Sequence, residues 1–213
     1  MHYLCTIQTK TTMHQLKNII LDFGGVLVDW NPLYLYSKVF GCEEKANYFL
    51  ENVCKYEWNI LQDAGRSLAE ATQILQEQHP DYKDEIAMYY GKWEEMLGGT
   101  LDENTKLIKP LKEKYSVYGL TNWSAETLPI AKKLYNFFDE LDGIVVSGDE
   151  KLIKPDPKIY QVLIERYAIK PEESLFIDDN FDNIVAAKKL GFQTIHFTND
   201  MNLEEVLRKM EVL

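Results

Sequence analysis

The chain has 213 residues, 46% of them apolar and 27% charged, enough apolar matter to close a core without disulfides or structural metal, which excludes disorder as its main state. Acidic residues outnumber basic ones 34 to 23, for a net charge of -11, and such a surface repels a phosphate backbone and excludes general nucleic-acid binding. No stretch reaches the ~20 consecutive apolar residues of a membrane span, and Cys5, Cys42 and Cys54 form no CxxC pair, which reads as reduced thiols in a cytoplasmic protein.

Residues 1–17 lack helical or strand periodicity and carry no apolar signal core, so they read as an N-terminal extension, with Met13 a candidate start. Asn18 to Phe23 is a short apolar run halted by Gly24-Gly25, the pattern of a buried strand ending in a turn. From Pro32 to about Leu97 no strand candidate appears. Helix-like runs at 33–40, 43–55, 67–78 and 81–97 fill the stretch, parted by Gly41, by Asp63-Ala-Gly-Arg66 and by His79-Pro80. That is too long for a crossover and reads as an inserted all-helical cap, residues 32–97. Beyond it, apolar runs at 115–120, 143–147, 174–177 and 193–197 alternate with helical patterns. One pattern follows Lys-Pro-Asp-Pro and places Ile159, Tyr160, Leu163 and Tyr167 on a face; another is capped by Asn180 and stopped by Gly191. Such alternation predicts βαβ units and a parallel sheet. The expected fold is α/β, a Rossmann-like core from 18–31 and 98–213 with the helical cap between.

In open parallel sheets ligands bind beyond the carboxyl ends of the strands. The first predicted strand delivers Asp22 and Gly24-Gly25 there, the second Thr121-Asn122, the third leads to Lys154-Pro155, and the fourth delivers Asp178-Asp179 with Asn183 beyond. Carboxylates, a hydroxyl-amide pair and one ammonium at a single rim suit a hard cation, Mg²⁺, together with a phosphoryl group. Each residue also has a plainer reading. Asp22 can cap its turn, Thr121-Asn122 can open a helix, and Lys154 can be a surface lysine. The adjacent pair Asp178-Asp179 favours a site, because two acids at the end of an apolar run repel each other without a cation or donors.

Asp22-Phe-Gly-Gly-Val-Leu, Thr121-Asn, Lys154-Pro and Asp178-Asp179, in this order and spacing, resemble the four motifs of the haloacid dehalogenase superfamily. Val-Ser-Gly-Asp149, Lys-Pro-Asp-Pro-Lys-Ile-Tyr160 and Phe-Ile-Asp-Asp-Asn-Phe-Asp-Asn183 resemble the subgroup that holds bacterial sugar-phosphate phosphatases and the phosphatase domain of soluble epoxide hydrolase. The resemblance spans residues 18–213. It implies that Asp22 is the nucleophile, and that Mg²⁺ is held by Asp22, the Gly24 carbonyl and Asp179, with Asp178 a direct or water-mediated ligand. It also implies that Gly25, Thr121, Asn122 and Lys154 receive the phosphoryl group of a small metabolite, a sugar phosphate being one candidate.

Gly24 departs from the common pattern, in which an aspartate two places after the nucleophile protonates the leaving group. A metal-bound water or a cap acid, Glu57 or Asp63, is then expected to serve. The interrupted segment 57–66 is expected to face the pocket as a loop, with Asn59 or Arg66 reading substrate, whereas Trp58 and Trp93 read as core and His79 as an exposed loop residue. Two competing functions remain, haloacid dehalogenation and a catalytically weak scaffold that binds a phospholigand or partner. A monomer or homodimer is expected.

Overall fold

The computed structural model describes residues 15–213; Cys5, Met13 and most of the expected N-terminal extension lie outside the described residues. The first strand, β1 (Asn18–Leu21), is buried along its whole length. After the turn at Asp22 to Leu27 comes β2 (Val28–Trp30), then five helices: α1 (Leu33–Phe40), α2 (Glu43–Asn52), α3 (Tyr56–Asp63), α4 (Leu68–Gln78) and α5 (Lys83–Gly91). The chain returns through β3 (Leu97–Thr100), α6 (Asp102–Thr105) and α7 (Ile108–Lys112) to β4 (Ser116–Thr121). There follow α8 (Leu128–Leu134), β5 (Gly143–Val146), α9 (Ser147–Glu150), α10 (Pro157–Tyr167), β6 (Ser174–Asp178), α11 (Phe181–Lys189), β7 (Gln193–His196) and α12 (Leu203–Lys209).

Five strands form one parallel sheet in the order β5-β4-β1-β6-β7, as the strand–helix alternation predicts. The central β1 aligns Ile19 with Val117 on one side and with Leu175 on the other. Side chains alternate across the sheet. Ile19 and Leu21 join the core on one face, and Ile20 joins Ile159, Tyr160, Leu163 and Ile184 of α10 and α11 on the other. Gly119 of β4 permits a close approach, since a Cβ there would lie 2.3 Å from the Phe23 ring. Because β1 lies between β4 and β6, the ends of all three strands meet at one rim.

Among helices α1 to α5, Tyr36 and Phe49 have ring centroids 4.7 Å apart and Trp58 meets Tyr89 at 5.1 Å, and these rings are continuous with the core cluster that holds Ile19 and Leu21. Gly41 ends α1 in the left-handed conformation at φ 61, and the Ser67 side chain caps α4 by accepting from the Glu70 N–H. Three features differ from the sequence expectation. Residues 56–63 form a helix rather than a loop, because Trp58 and Gln62 bury one face of it, while Tyr56, Asn59 and Asp63 line a cavity, as expected of the segment. The expected run at 81–97 shortens to α5, bracketed by 3-10 turns at Pro80–Tyr82 and Trp93–Met96. An antiparallel ribbon of β2 and β3, which pairs Val28 with Thr100, stands at the stem of the insertion. No helix among the described residues is long and apolar enough to cross a membrane.

Candidate active site

β1 hands its chain directly to Asp22, whose N–H donates to the Ile177 carbonyl of β6 at 2.9 Å and so places the residue at the sheet rim. Its Oδ1 accepts from the Phe23 N–H at 2.7 Å and lies 2.9 Å from Lys154 Nζ. The turn beyond is tied by the N–H groups of Leu27 and Val28, both donating to the Phe23 carbonyl. None of these bonds uses the Gly24 carbonyl, and Gly24 lines the cavity of the site. At Gly25 the backbone sits at φ +71, and a Cβ would lie 2.2 Å from Asp179 Oδ2. Glycine is needed there on both counts, for the conformation and for the room the carboxylate occupies.

Lys154 is the hub. Only 1% exposed, its ammonium donates to Asp178 Oδ2 at 2.6 Å and to the Leu120 carbonyl at 2.9 Å, and it also pairs with Asp22. Burial alone would lower its pKa, but Asp178 and Asp22 outweigh that and hold it above the usual lysine value. Asn122 clamps the lysine's own backbone, accepting from the Lys154 N–H at 2.8 Å and donating to its carbonyl at 3.0 Å. The Asn122 side chain is thus committed to positioning Lys154, while the residue lines the cavity. Asp178 is saturated as well, accepting from the Asn180 N–H and twice from Asn183 Nδ2. Asn183 therefore holds a site carboxylate in place.

Asp22, Asp178 and Asp179 each offer a carboxylate oxygen within 4.8 Å of the others. Burial pushes the Asp22 carboxyl up to about 8, with Lys154 opposing and the other two acids adding to the rise. Burial and Asp178 raise Asp179 in the same direction. Three oxygen donors that repel one another match a hard divalent cation, and the room that Gly25 leaves for Asp179 fits the same group. Thr121, the last residue of β4, is fully buried and its hydroxyl has no hydrogen-bond partner. A buried orphan hydroxyl is costly unless a ligand completes it.

Asp22, Gly24, Gly25, Asn122, Lys154 and Asp179 line a cavity of about 610 Å³ whose other wall comes from the helices between β2 and β3, while Thr121 and Asp178 are fully buried and are not part of its lining. From that other wall come Tyr56, Asn59 and Asp63 of α3 and Tyr90 of α5; from the stem come Trp30 and Asn31. Burial pushes the Asp63 carboxyl up to about 7, against the Ser124 backbone N–H, which favours the charged form. Glu57, the other cap acid considered, is exposed and does not line the cavity. Arg66 does not reach it either, being bound to Gln62 and to the Trp58 carbonyl. Trp58 and Trp93 are core residues, and Trp93 also forms part of the cavity wall. Tyr56 and Tyr90 escaped the sequence analysis. Tyr56, Asn59 and Asp63 follow the i, i+3, i+7 spacing of one helix face, a signal lost when the segment is taken as a loop.

A family model for haloacid dehalogenase-like hydrolases matches residues 16–191. The chain is similar to the sesquiterpene phosphatase astK of Aspergillus oryzae, 29% identical over 195 residues that make up 91% of this chain and 96% of that protein. Over a shorter stretch of 91 residues it is 34% identical to (S)-2-haloacid dehalogenase 4A of Burkholderia cepacia, covering 43% of this chain and 39% of that one. Its fold is similar to that of a haloacid dehalogenase family enzyme from Bacteroides thetaiotaomicron solved with magnesium and inorganic phosphate, with a TM-score of 0.70 at 24% identity over 91% of this chain and 100% of that chain.

Proposed function

The chain belongs to the haloacid dehalogenase-like hydrolases, and on that premise we propose that it is a Mg²⁺-dependent phosphatase of a small phosphorylated metabolite, acting through an aspartyl-phosphate on Asp22. The observation that carries the reading is the cluster of Asp22, Asp178 and Asp179 around one point, with the buried Lys154 ammonium bridging two of them. Full-length similarity to a phosphatase supports it. Mg²⁺ held by Asp22, Asp179 and the Gly24 carbonyl, with Asp178 beside it, would supply positive charge against the repulsion between a carboxylate and a phosphoryl dianion.

The chain's own groups do the rest. The Phe23 N–H and Lys154 hold Asp22 Oδ1, which leaves the carboxylate fixed in direction when Asp22 attacks phosphorus. The Thr121 hydroxyl and the Asn122 backbone receive phosphoryl oxygens, and Lys154 offsets the charge that builds on them. As the bond from phosphorus to the leaving oxygen breaks, that oxygen takes the Asp63 proton. Water then attacks the aspartyl-phosphate, its proton returns to Asp63, and phosphate leaves with Asp22 regenerated. Helices α1 to α5, taken as a cap over residues 32–97 on a core of 18–31 and 98–213, exclude bulk water from the step.

Dehalogenation fits less well, because a leaving halide would meet three clustered carboxylates. Release of nitrophenol from p-nitrophenyl phosphate, with and without Mg²⁺, tests the reading alongside chloride release from 2-chloropropionate. The expected result is Mg²⁺-stimulated phosphatase turnover that falls by about three orders of magnitude or more in Asp22→Asn. Chloride release without phosphatase turnover would favour the dehalogenase, and neither reaction with any cation would favour a phospholigand-binding scaffold.

A further inference from the structure

Asparagine amides look alike at both ends, but hydrogen-bond partners of fixed polarity decide which end faces a cavity. The Arg66 guanidinium can only donate, so the Gln62 atom that it meets, through Nε at 2.9 Å and a terminal nitrogen at 2.6 Å, is the oxygen. Gln62 Nε2 is then turned outward and donates to the Tyr90 hydroxyl at 2.7 Å. The one Tyr90 proton is thereby left for Asn59, whose Oδ1 accepts it at 2.9 Å. Burial pushes Tyr90 well above the usual phenol range, so that proton stays in place. The chain of polarity ends at Asn59 Nδ2, which has no partner among the described residues, on a residue lining the cavity.

Two further asparagines of the same cavity are oriented alike. Asn31 Oδ1 accepts the Leu33 N–H at 3.0 Å where α1 begins, and Asn180 Oδ1 accepts the Asp182 N–H at 2.9 Å as the cap of α11. Backbone N–H groups cannot accept, so both amides are fixed with their oxygens spent. One asparagine from α3, one from the stem and one from the exposed core rim thus line one cavity with their oxygens spent and their NH₂ donors without a partner among the described residues. Leaving them unmet by an apolar ligand wastes preorganised donors, whereas an oxygen-bearing ligand completes them.

We propose that Asn59, assisted by Asn31 and Asn180, selects substrates whose leaving group bears acceptor oxygens beyond the phosphoryl group, polyhydroxylated phosphomonoesters above all, with Arg66, Gln62 and Tyr90 as positioning residues. The proposal rests on the phosphatase reading and adds the chemistry of the leaving group to it. It also accounts for recruitment of an oxygen-rich anion by a chain of charge -11, since the attraction is local and made by neutral donors. A purely apolar leaving group, such as a prenyl chain, is the alternative occupant.

Competition against p-nitrophenyl phosphate turnover tests it. The readout is the ratio of inhibition constants for cyclohexyl phosphate, which lacks hydroxyls, and for the tightest of inositol 1-phosphate, glucose 6-phosphate and glycerol 3-phosphate. Wild-type protein should prefer the hydroxylated ligand by about tenfold or more. Asn59→Leu and the near-isosteric Asn59→Asp should each bring the ratio down by about tenfold, and Tyr90→Phe, which frees the amide to turn, should lower it by a smaller factor. A merely structural part for Tyr90 would shift both constants together and leave the ratio in place. A wild-type preference below about threefold, or a ratio that the Asn59 variants leave unmoved, overturns the assignment while Asp22-dependent phosphatase turnover stands. Absence of that turnover overturns the phosphatase reading and the assignment with it.

Discussion

Gly24 leaves the second position after Asp22 without a proton donor, and a Cβ placed there meets nothing within 4 Å. Among the described residues the acids that line the cavity outside the carboxylate cluster are Asp29 of β2 and Asp63 of α3, and burial raises Asp63 to about 7. A general acid works only while protonated, so turnover of alkyl phosphates, whose leaving oxygens are poor, should fall as pH rises through about 7. Asp63→Asn should remove that descent and slow alkyl phosphates by about 10²-fold while affecting p-nitrophenyl phosphate far less. Gly24→Asp, with space to receive it, should restore part of the loss. The same group marks stability with the opposite sign from an ordinary salt-bridged carboxylate. The folded state keeps a proton that the unfolded chain releases from 3.8 upward, so the Asp63 contribution is full below that pH and is lost as pH rises through about 7. A flat pH profile for kcat on alkyl phosphates in wild-type protein would remove Asp63 from the proton path.

At the scale of elements, the helices of the insertion are held by aromatic packing, with Phe49 between Tyr36, Phe40 and Tyr82. Phe49→Ala should therefore cost about 3–5 kcal/mol in urea unfolding; a cost under about 1 kcal/mol would mean that these rings do not hold the layer. The central strands of the parallel sheet were legible because they carry apolar runs buried on both faces, as Ile19 to Leu21 of β1 and Leu175 to Ile177 of β6 illustrate, whereas the edge strand β7 buries only Ile195. The β2–β3 ribbon was not legible. Leu97-Gly-Gly-Thr carries two glycines and its partner has three residues, so neither has local strand character and only pairing over a long chain separation creates them. Helix α3 hid for a different reason. Its cavity face bears Tyr56, Asn59 and Asp63 in place of an apolar stripe, so polar residues that serve the cavity erase the periodicity that marks a helix. In the site, Asp22, Thr121 and Asp179 were legible because they stand at or just past strand ends, and Lys154, in the loop beyond β5 and α9, only through the resemblance of the motifs taken together. The Asn122 clamp on the Lys154 backbone and the Arg66 to Asn59 chain were not, because no local pattern records which side chains meet across 32 residues or between two helices.

Over the whole molecule, distant segments are brought to one rim by the parallel sheet, and the charge they gather there opposes folding until it is neutralised. Lys154 offsets part of it. A divalent cation should offset the rest, so Mg²⁺ at about 100 times its Kd should stabilise the fold by ~2.7 kcal/mol, seen as a rise in Tm. Asp179→Ala should abolish the rise. An equal rise in that variant would place cation binding elsewhere. The central claim is that Asp22 carries the phosphoryl group between substrate and water. Mass spectrometry of enzyme quenched in acid during turnover tests it most directly. The account predicts a phosphoryl mass increment on the peptide that contains Asp22, absent from Asp22→Asn and from enzyme without substrate. Steady phosphate release with no increment on that peptide, or with the increment on another residue, would contradict it.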